Sequence, residues 1–430
     1  EVMGDYGKTG LESGSVSGNP VLPSNYTLIN GYIVGPDVNL TDADLSGADL
    51  TGADLSHADL AGLKSGSVLG NPVLPSNYVL INGYIFGPNV NLSNVDLTNV
   101  DLSNVDLSGL KCGSLAGDAV LPANTAPIDG YIVGPDVNLT DADLTGADLS
   151  NSDLTGVNLS NADLTGANLN GSNLTSANLS NADLSNADLR DTDLTAAYPI
   201  GAKLSNTDLT GADLSGSSFK SANLSNANLS NADLSNADLS NADLAGLTSG
   251  SLHKASGAGH ALPSNYALKN GYIVGPDVNL TDADLSGAIL NNSNLTGVNL
   301  SNADLSNADL RDTDLTGADL SGAKLSNADL TGADLTDVVL TAADLINADL
   351  TGTNLRGADL SGSSLGSADL SNSNLTGADL SGADLTNADL TAHFAEEEFL
   401  FLDGDGKTGL ESGSVSGNPV LPSNYTLING

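Results

Sequence analysis

The sequence predicts a solenoid, a fold in which the chain winds through short, similar units around a narrow core. Residues 281–390 form 22 consecutive five-residue units, each ending in leucine, and most read Ser/Thr-Asn/Gly-Ala-Asp-Leu. A helix buries side chains every 3.6 residues or so and a strand every 2, so neither explains a period of five. We therefore take the period itself as the fold signal, with a corner in the chain at every unit.

Leucine and the small residue two positions before it are the only regularly apolar places in each unit. They are expected to point inward, while Asp, Ser/Thr and Asn/Gly face water. The pattern Ala-Asp/Asn-Leu followed by two variable residues resembles the pentapeptide-repeat family over about 260 of the 430 residues. The resemblance implies an all-β fold, a right-handed quadrilateral parallel β-helix with four units per coil. Each coil would pair only with its neighbours, about 4.8 Å away.

The charge is strongly acidic, because 53 Asp and Glu outnumber 12 Lys and Arg and give a net charge of -41. Such a surface repels nucleic acid and anionic membranes, so we expect no nucleic-acid partner and regard divalent cations as candidate ligands. No run of about 18 apolar residues predicts a membrane span. Cys112 is the single cysteine, and the four histidines show no metal-binding spacing.

Four similar segments of twenty residues interrupt the pentapeptides, and they begin at Val21, Val73, Val120 and Ala261. We interpret each as an atypical starter coil, because terminal repeats of solenoids differ from internal ones. Counting in fives through the first of them places Val38, Ile33 and Leu28 on the inside. A surface loop is the alternative interpretation.

Three Gly/Ser-rich inserts share a signature that begins Gly-Leu, at Gly62, Gly109 and Gly246, and are expected to be turns or flexible joints. The repeats and inserts divide the chain into six predicted parts. These are a Gly/Ser-rich N-terminal segment (1–20), a starter coil plus four pentapeptides (21–63), an insert, starter coil and three pentapeptides (64–110), the same with 21 pentapeptides (111–247), the same with 22 (248–392), and an aromatic and acidic cap followed by a truncated repeat (393–430).

The truncated repeat is identical to an earlier segment, since residues 406–430 reproduce residues 7–31 without a change, 399 positions later. It covers eleven residues of a further starter coil, and a self-contained domain is not expected to stop there. We therefore expect copies of the chain to associate head to tail. The interface candidates are Tyr26, Leu28, Tyr32, Phe394, Phe399, Phe401, Tyr425 and Leu427.

Catalytic signatures are absent from the sequence: there is no nucleophile elbow, zinc pairing, phosphate loop or dinucleotide fingerprint. We predict that the protein is not an enzyme. Asp403 and Asp405 resemble the middle of a calcium loop, but Phe401 and Ser412 stand where that loop needs acidic ligands. Calcium at Asp403 and Asp405 is thus a candidate, with a solvated acidic turn as the alternative.

Stacking of the coils at twenty residues would place Asp309, Asp329, Asp349, Asp369 and Asp389 in one column. Repulsion between these carboxylates predicts that salt, divalent cations and mild acid all stabilise the fold. Lys324 is expected to relieve the repulsion between Asp304 and Asp344. Pro199 stands at a leucine place, lacks a backbone donor and should dent one face.

Several functions fit this chain, and the sequence favours a structural one. The near-duplicate segments favour a repeat unit of an extracellular or cell-surface filament or array, with any secretion signal outside this chain. The family resemblance implies an alternative, because some members are taken to mimic duplex DNA with an acidic rod and to bind type II topoisomerases. A surface adhesion or cation-binding module is a further alternative.

Overall fold

The computed structural model describes residues 11–12, 16–93, 95–113, 117–252 and 261–391. The chain divides into two compact units, Glu1–Lys203 and Leu204–Gly430, which we describe separately. Within the described residues the fold is all-β, with no helix and ten short strands. The strands are β1 (Leu11–Glu12), β2 (Thr27–Ile29), β3 (Tyr32–Val34), β4 (Val38–Asn39), β5 (Val79–Ile81), β6 (Tyr84–Phe86), β7 (Ala126–Ile128), β8 (Tyr131–Val133), β9 (Ala267–Lys269) and β10 (Tyr272–Val274).

Most of the pairing lies outside these strands, in single parallel bridges between residues twenty positions apart. In the first unit Asp143 pairs with Asp163 and Asp163 with Asp183. In the second unit Asp309 pairs with Asp329 in the same way. A coil therefore contains twenty residues, or four pentapeptides, as the sequence predicts.

Backbone hydrogen bonds join each coil to the one before it and the one after it. Asp304 donates its N–H to the carbonyl of Ala283 in the preceding coil at 2.8 Å, and Leu305 donates to Lys324 in the following coil at 2.7 Å. The outward aspartate and the inward leucine of one unit thus bond in opposite directions. This alternation satisfies the backbone of every face from two neighbouring coils.

A tight turn at each corner allows the chain to change direction every five residues. Ala147 donates its N–H to the carbonyl of Leu144 at 3.0 Å, and Gly146 between them has φ of 67°. A positive φ at this position is the requirement of a type II turn, and Gly and Asn meet it at the lowest steric cost. The Asn/Gly place of the repeat is therefore a backbone requirement, and Ala342, with φ of 57°, is one of the few residues that meets it at a cost.

The core is a stack of leucines and small residues, as predicted. Leu335 is 0% exposed and Ala333 1% exposed, and in the second unit the buried core runs from Val274 to Leu390. Phe219 takes a leucine place in the second unit and is also buried. The stack has little room for a substitution that adds charge or bulk.

Pro199 disturbs the first unit only slightly. It is buried at its leucine place, and Tyr198 before it still pairs with Asn178. The hydrogen bond from Leu179 to the carbonyl of Tyr198 measures 3.1 Å, against 2.7 Å for the equivalent bond from Leu184 to Lys203. The expected dent is thus a local lengthening within an unbroken register.

The first Gly/Ser-rich insert keeps the pairing of the coils, and whether the inserts flex as joints stays a prediction. Lys64 and Leu69 pair with Asp44 and Asp49, twenty residues before them. Leu63 is 0% exposed and fills the place of the small inward residue. Residues 62–69 therefore continue the preceding coil. In this unit Leu63 takes the inward place of the small residue, and Ser65 takes the inward place of the leucine.

Candidate functional site

Four segments of the chain differ most from the regular coils, and we call them coil junctions. Each begins at a Gly-Leu pair and ends at the last residue of an Asp/Asn-Val-Asn sequence. In the second junction Lys64 pairs with Asn91, and in the third Lys111 pairs with Asn138, 27 residues later in both cases. Seven residues are thus added to a regular coil of twenty in these two junctions, and eleven in the fourth, where Thr248 pairs with Asn279. The junctions are residues 10–39, 62–91, 109–138 and 246–279.

The added residues form an antiparallel β-hairpin. In the second junction β5 pairs with β6, and the two residues between them, Asn82 and Gly83, have φ of 52° and 83°. Two consecutive positive φ values are the requirement of a type I′ turn, which Asn-Gly meets best. The starter segment is therefore a coil carrying a hairpin, and Leu28 and Ile33 are half-buried in the equivalent hairpin instead of lying fully inside.

A tyrosine fixes the base of three of the four hairpins. The hydroxyl of Tyr78 donates to the carbonyl of Pro88 at 2.9 Å, and its ring lies so close to Gly87 that a Cβ there would approach it to 2.3 Å. Burial, with the nearby charges of Asp59 and Asp106, raises the pKa of Tyr78. Tyr26 and Tyr266 make the same bond to Pro36 and Pro276, at 3.1 and 3.2 Å.

A buried serine or cysteine anchors the second strand of the hairpin from the coil beneath it. Each occupies a leucine place in the five-residue rhythm and accepts the N–H of a buried isoleucine. The pairs are Ile85 to Ser65 Oγ (2.9 Å), Ile132 to Cys112 Sγ (3.2 Å) and Ile273 to Ser249 Oγ (2.7 Å). Without this acceptor the N–H would be buried and unpaired, which is costly.

Cys112 belongs to this anchor and not to a reactive site. Its side chain is 4% exposed, and burial raises the pKa of the thiol to about 11. The group therefore stays a neutral thiol at physiological pH and acts as a small buried side chain. Its role matches that of Ser65 and Ser249 at the equivalent positions.

The first junction is built in the same register as the internal ones. β1 pairs in parallel with β4, so that Leu11 lies opposite Val38 and Glu12 opposite Asn39. These pairs are again 27 residues apart, like Lys64 and Asn91. The described residues from 11 to 39, namely 11–12 and 16–39, therefore pair as in the element that joins two coils at Lys64 and at Lys111.

The structure brings together three of the residues expected at a head-to-tail interface. Tyr26, Leu28 and Tyr32 lie in or beside the hairpin of the first junction, where Leu28 is opposite Ile33 and Tyr32 opposite Ile29. The others lie outside the described residues, so their interface role stays a prediction. They are Phe394, Phe399, Phe401, Tyr425 and Leu427.

Metal binding at Asp403 and Asp405 also stays a prediction, since both lie outside the described residues. Between residues 16 and 391, apart from the three short gaps, no group of three or more His, Cys, Asp or Glu is placed to hold a metal ion. No helix in the described part of the chain is long and apolar enough to cross a membrane.

Columns of stacked carboxylates run along the second unit, as the sequence predicts. Asp309, Asp329, Asp349, Asp369 and Asp389 are bridged in succession. In a neighbouring column Lys324 pairs with both Asp304 and Asp344, and its Nζ lies 3.6 Å from Asp304 Oδ2. The lysine therefore offsets part of the repulsion along its own column.

Most of these aspartates have a second role that sequence reasoning missed. Asp148 Oδ1 accepts the N–H of Ser150 at 3.1 Å and its hydroxyl at 2.7 Å. These two bonds stabilise the ionised form and lower the pKa of Asp148. Ser or Thr two residues on lowers the pKa in the same way at Asp44, Asp49, Asp54, Asp96, Asp101, Asp143, Asp238, Asp304, Asp314 and Asp359.

Comparison with protein families gives one match, to a model described as pentapeptide repeats in eight copies. It matches residues 37–64, 88–111, 136–246 and 279–391, in segments that overlap or adjoin, and these cover well over half of the chain. No curated protein sequence matches the chain.

Solved structures with similarity to this chain include three whose titles describe their biology. The pentapeptide repeat protein HetL, involved in heterocyst differentiation regulation in the cyanobacterium Nostoc sp. strain PCC 7120, is 32% identical over 54% of this chain and 86% of its own, with a TM-score of 0.20. A pentapeptide repeat protein of the Arabidopsis thaliana thylakoid lumen is 34% identical over 22% of this chain and 66% of its own, with a TM-score of 0.22. QnrB1, a plasmid-mediated fluoroquinolone resistance protein, is 19% identical over 61% of this chain and 94% of its own, with a TM-score of 0.19.

Proposed function

Because this chain belongs to the pentapeptide-repeat family, we propose that it is a non-enzymatic structural protein whose copies join head to tail in an extracellular filament or surface array. The coils would wind as a right-handed quadrilateral β-helix. Twenty-residue bridges with a turn in every pentapeptide support four sides per coil, and the family resemblance supplies the handedness.

The observation that carries the proposal is the shared register of the junctions. A junction residue such as Lys64 pairs with Asp44 in the coil before it and with Asn91 in the coil after it. The junction therefore pairs with a coil on each of its two sides and continues one stack of coils into the next. Residues 10–39 have the same 27-residue register, and residues 406–430 repeat residues 7–31 identically.

The identical segments suggest how two copies would meet. Residues 410–411 and 426–428 have the sequences of β1 and β2, whose partners in the first junction are β4 and β3. In the proposed assembly, residues 406–430 of one copy take the place of residues 7–31 of the next and pair with its β4 and β3. A head-to-tail contact of this kind extends without closing.

Deletion of residues 406–430 tests the non-covalent form of the proposal. The intact protein at high concentration should form linear oligomers in electron microscopy and light scattering, whereas the deletion variant should remain a single copy. An excess of a synthetic peptide of residues 406–430 should shorten the oligomers, and a scrambled peptide of the same composition should not.

Intact protein that stays monodisperse at every concentration would refute the non-covalent form. A covalent form remains distinct, because it requires further copies in one longer polypeptide. A parent gene without a second 399-residue copy would refute that form.

A second candidate, imitation of a polyanion, is favoured by the aspartate columns. Asp309 to Asp389 repeat at every coil, which places carboxylates about 4.8 Å apart along one face. A protein of this charge would compete with DNA for a type II topoisomerase. DNA supercoiling by such an enzyme should then be inhibited by this protein but not by a variant in which Asp329, Asp349 and Asp369 are changed to Asn.

Cation binding by the same columns, in an adhesion role, is the third candidate. Isothermal titration with Ca²⁺ and Mg²⁺ separates it from the others. A deletion variant lacking residues 393–430 would separate the columns from the candidate pair Asp403 and Asp405.

A further inference from the structure

One column of outward side chains in the first unit differs from its neighbours, because it contains no carboxylate over seven coils. We call it the asparagine column. Each member is bridged to the next, and the members are Lys64, Asn91, Lys111, Asn138, Asn158, Asn178 and Tyr198. At about 4.8 Å per coil the column is about 29 Å long.

Beside Asn138, Asn158 and Asn178 the neighbouring columns are acidic, whereas Leu69, Val73 and Val120 stand in them in the earlier coils. One contains Asp143, Asp163 and Asp183, and the other two keep an aspartate on either side of Asn168 and Asn173. The protein has a net charge of -41, so a face of this length without a carboxylate at its centre differs from the acidic surface elsewhere.

Two asparagines at the centre of the column bond to each other. Asn178 donates its Nδ2–H to Asn158 Oδ1 at 3.2 Å, and each Oδ1 also accepts the N–H of the serine two residues on, at 3.1 Å. These two side chains are therefore ordered before any partner binds, which lowers the entropic cost of docking at this place.

Cations and an exposed aromatic ring add to the column. The Lys111 side chain is 43% exposed and its Nζ lies 3.9 Å from Asp141 Oδ2 at the adjoining corner. Tyr198 is 49% exposed and Ile200 beside it 40% exposed. The face thus offers positive charge, amide groups and apolar surface, whereas the neighbouring columns beside Asn138, Asn158 and Asn178 offer mainly carboxylates.

We propose that the asparagine column is a lateral docking face, and that its partner is the asparagine column of a second copy of this chain. The argument is one of charge. Two chains of such negative charge repel each other wherever aspartate columns face, because like charges across an interface are unfavourable. The asparagine column is where that repulsion is least, and its lysines can approach the corner carboxylates Asp136 and Asp141 of the other copy.

This inference goes beyond head-to-tail joining, because it concerns the width of an assembly and not its length. The two can fail separately. Lateral pairing would double the width of particles in electron microscopy, while loss of residues 406–430 would change only their length.

The test introduces aspartate into the asparagine column, at the place where most repeat units already have aspartate. In the double variant Asn158→Asp and Asn178→Asp, each new carboxylate can still accept the same serine N–H, so the fold should be retained. Asn168→Asp and Asn173→Asp add the same charge to the neighbouring columns and serve as the matched control. Sedimentation velocity at low and high salt and particle width in electron microscopy would be measured on the full chain of all three proteins.

The first double variant should associate laterally at least about tenfold more weakly than the natural protein and than the control, with recovery at high salt. Lys111→Glu should weaken the association in the same direction. Natural protein that never widens beyond single copies would overturn the proposal. Equal weakening in the control, or width unchanged in the Asn158→Asp and Asn178→Asp variant, would overturn it as well, since the contact would then lie on another face.

Discussion

The aspartate before each leucine combines two functions in one side chain. It faces solvent with a negative charge, and its Oδ1 closes a local turn by accepting the backbone N–H two residues later, as Asp148 does from Ser150. The Ser or Thr hydroxyl at the same position adds a second bond to the carboxylate. The unit Asp-Leu-Ser/Thr is thus a small hydrogen-bonded motif that shapes the corner after every face.

This motif opposes one expectation drawn from charge alone. Mild acid was expected to stabilise the fold by neutralising stacked carboxylates, but the hydrogen bonds lower the pKa of Asp148 and of ten other aspartates with the same motif below the ordinary value. A group with a lowered pKa in the folded state holds its proton less tightly there than in the unfolded chain. Its contribution to stability is full above the unfolded pKa of about 3.9 and is lost as the pH falls below it.

We therefore predict that acid destabilises the protein. The urea midpoint at constant ionic strength should be the same at pH 7 and pH 5 and should fall steadily as the pH is lowered through 4 towards 2. A midpoint that rises as the pH falls below 5 would show that repulsion between stacked aspartates outweighs the turn hydrogen bonds.

Residue positions inside the coil could be read from the sequence, because leucine and alanine recur at the same two places of every unit. The turn bonds could not be read in this way. Ser and Thr after the leucine look like ordinary water-facing residues. Their bonds back to the aspartate, such as that from Ser150 N–H to Asp148 Oδ1, depend on the path of the backbone through the intervening leucine, which the residue types alone do not reveal.

At the scale of the element, the junction shows how a coil accepts extra chain. The hairpin stands on a coil that keeps its register on either side, as Lys64 pairs with both Asp44 and Asn91. The anchor at Ser65, Cys112 or Ser249 fixes the hairpin to the coil below. The added residues therefore do not interrupt the core.

We predict that Ser249→Ala destabilises the second unit by about 1–3 kcal/mol, because the buried N–H of Ile273 loses its acceptor. Cys112→Ser is the matched control in the first unit and should change stability little, since serine fills this place in two other junctions. Urea unfolding followed by circular dichroism would measure both. Equal stability of Ser249→Ala and the natural protein would mean that another acceptor, such as water, replaces the hydroxyl.

The hairpins were within reach of the sequence, because Asn82-Gly83 between two apolar runs is a strong signal for a two-residue hairpin turn. Counting in fives led instead to a regular coil with Leu28 and Ile33 inside, so the hairpin was not predicted. The anchors were harder to foresee. Ser65 and Cys112 lie twenty residues from the isoleucines they bond, and that proximity exists only once the coils are stacked.

At the scale of the whole molecule, charge is the dominant property, with 53 acidic and 12 basic residues. Stacking brings carboxylates into columns such as Asp309 to Asp389. Each neighbouring pair costs about 1 kcal/mol or less in water, and salt screens the repulsion. Many small costs of one sign add up in a long stack.

Salt should therefore raise the melting temperature. We predict a steady rise between about 50 mM and 1 M sodium chloride, with a larger effect of magnesium chloride at equal ionic strength if the columns bind divalent cations. Asp349→Asn keeps the turn bond to Thr351 but removes one charge from the column, so this variant should melt higher than the natural protein at low salt. A melting temperature independent of salt, in both proteins, would contradict the prediction.

The register of twenty residues also bears on how such a gene can change. Gain or loss of one coil's worth of codons, by slippage or unequal crossing-over between near-identical repeats, leaves every later side chain on its former face. A change by a single pentapeptide moves all later outward residues round by one side, so that the asparagine and aspartate columns exchange places. Recombination can thus lengthen the protein freely in whole coils, whereas in smaller steps it redraws the pattern of charge on the surface.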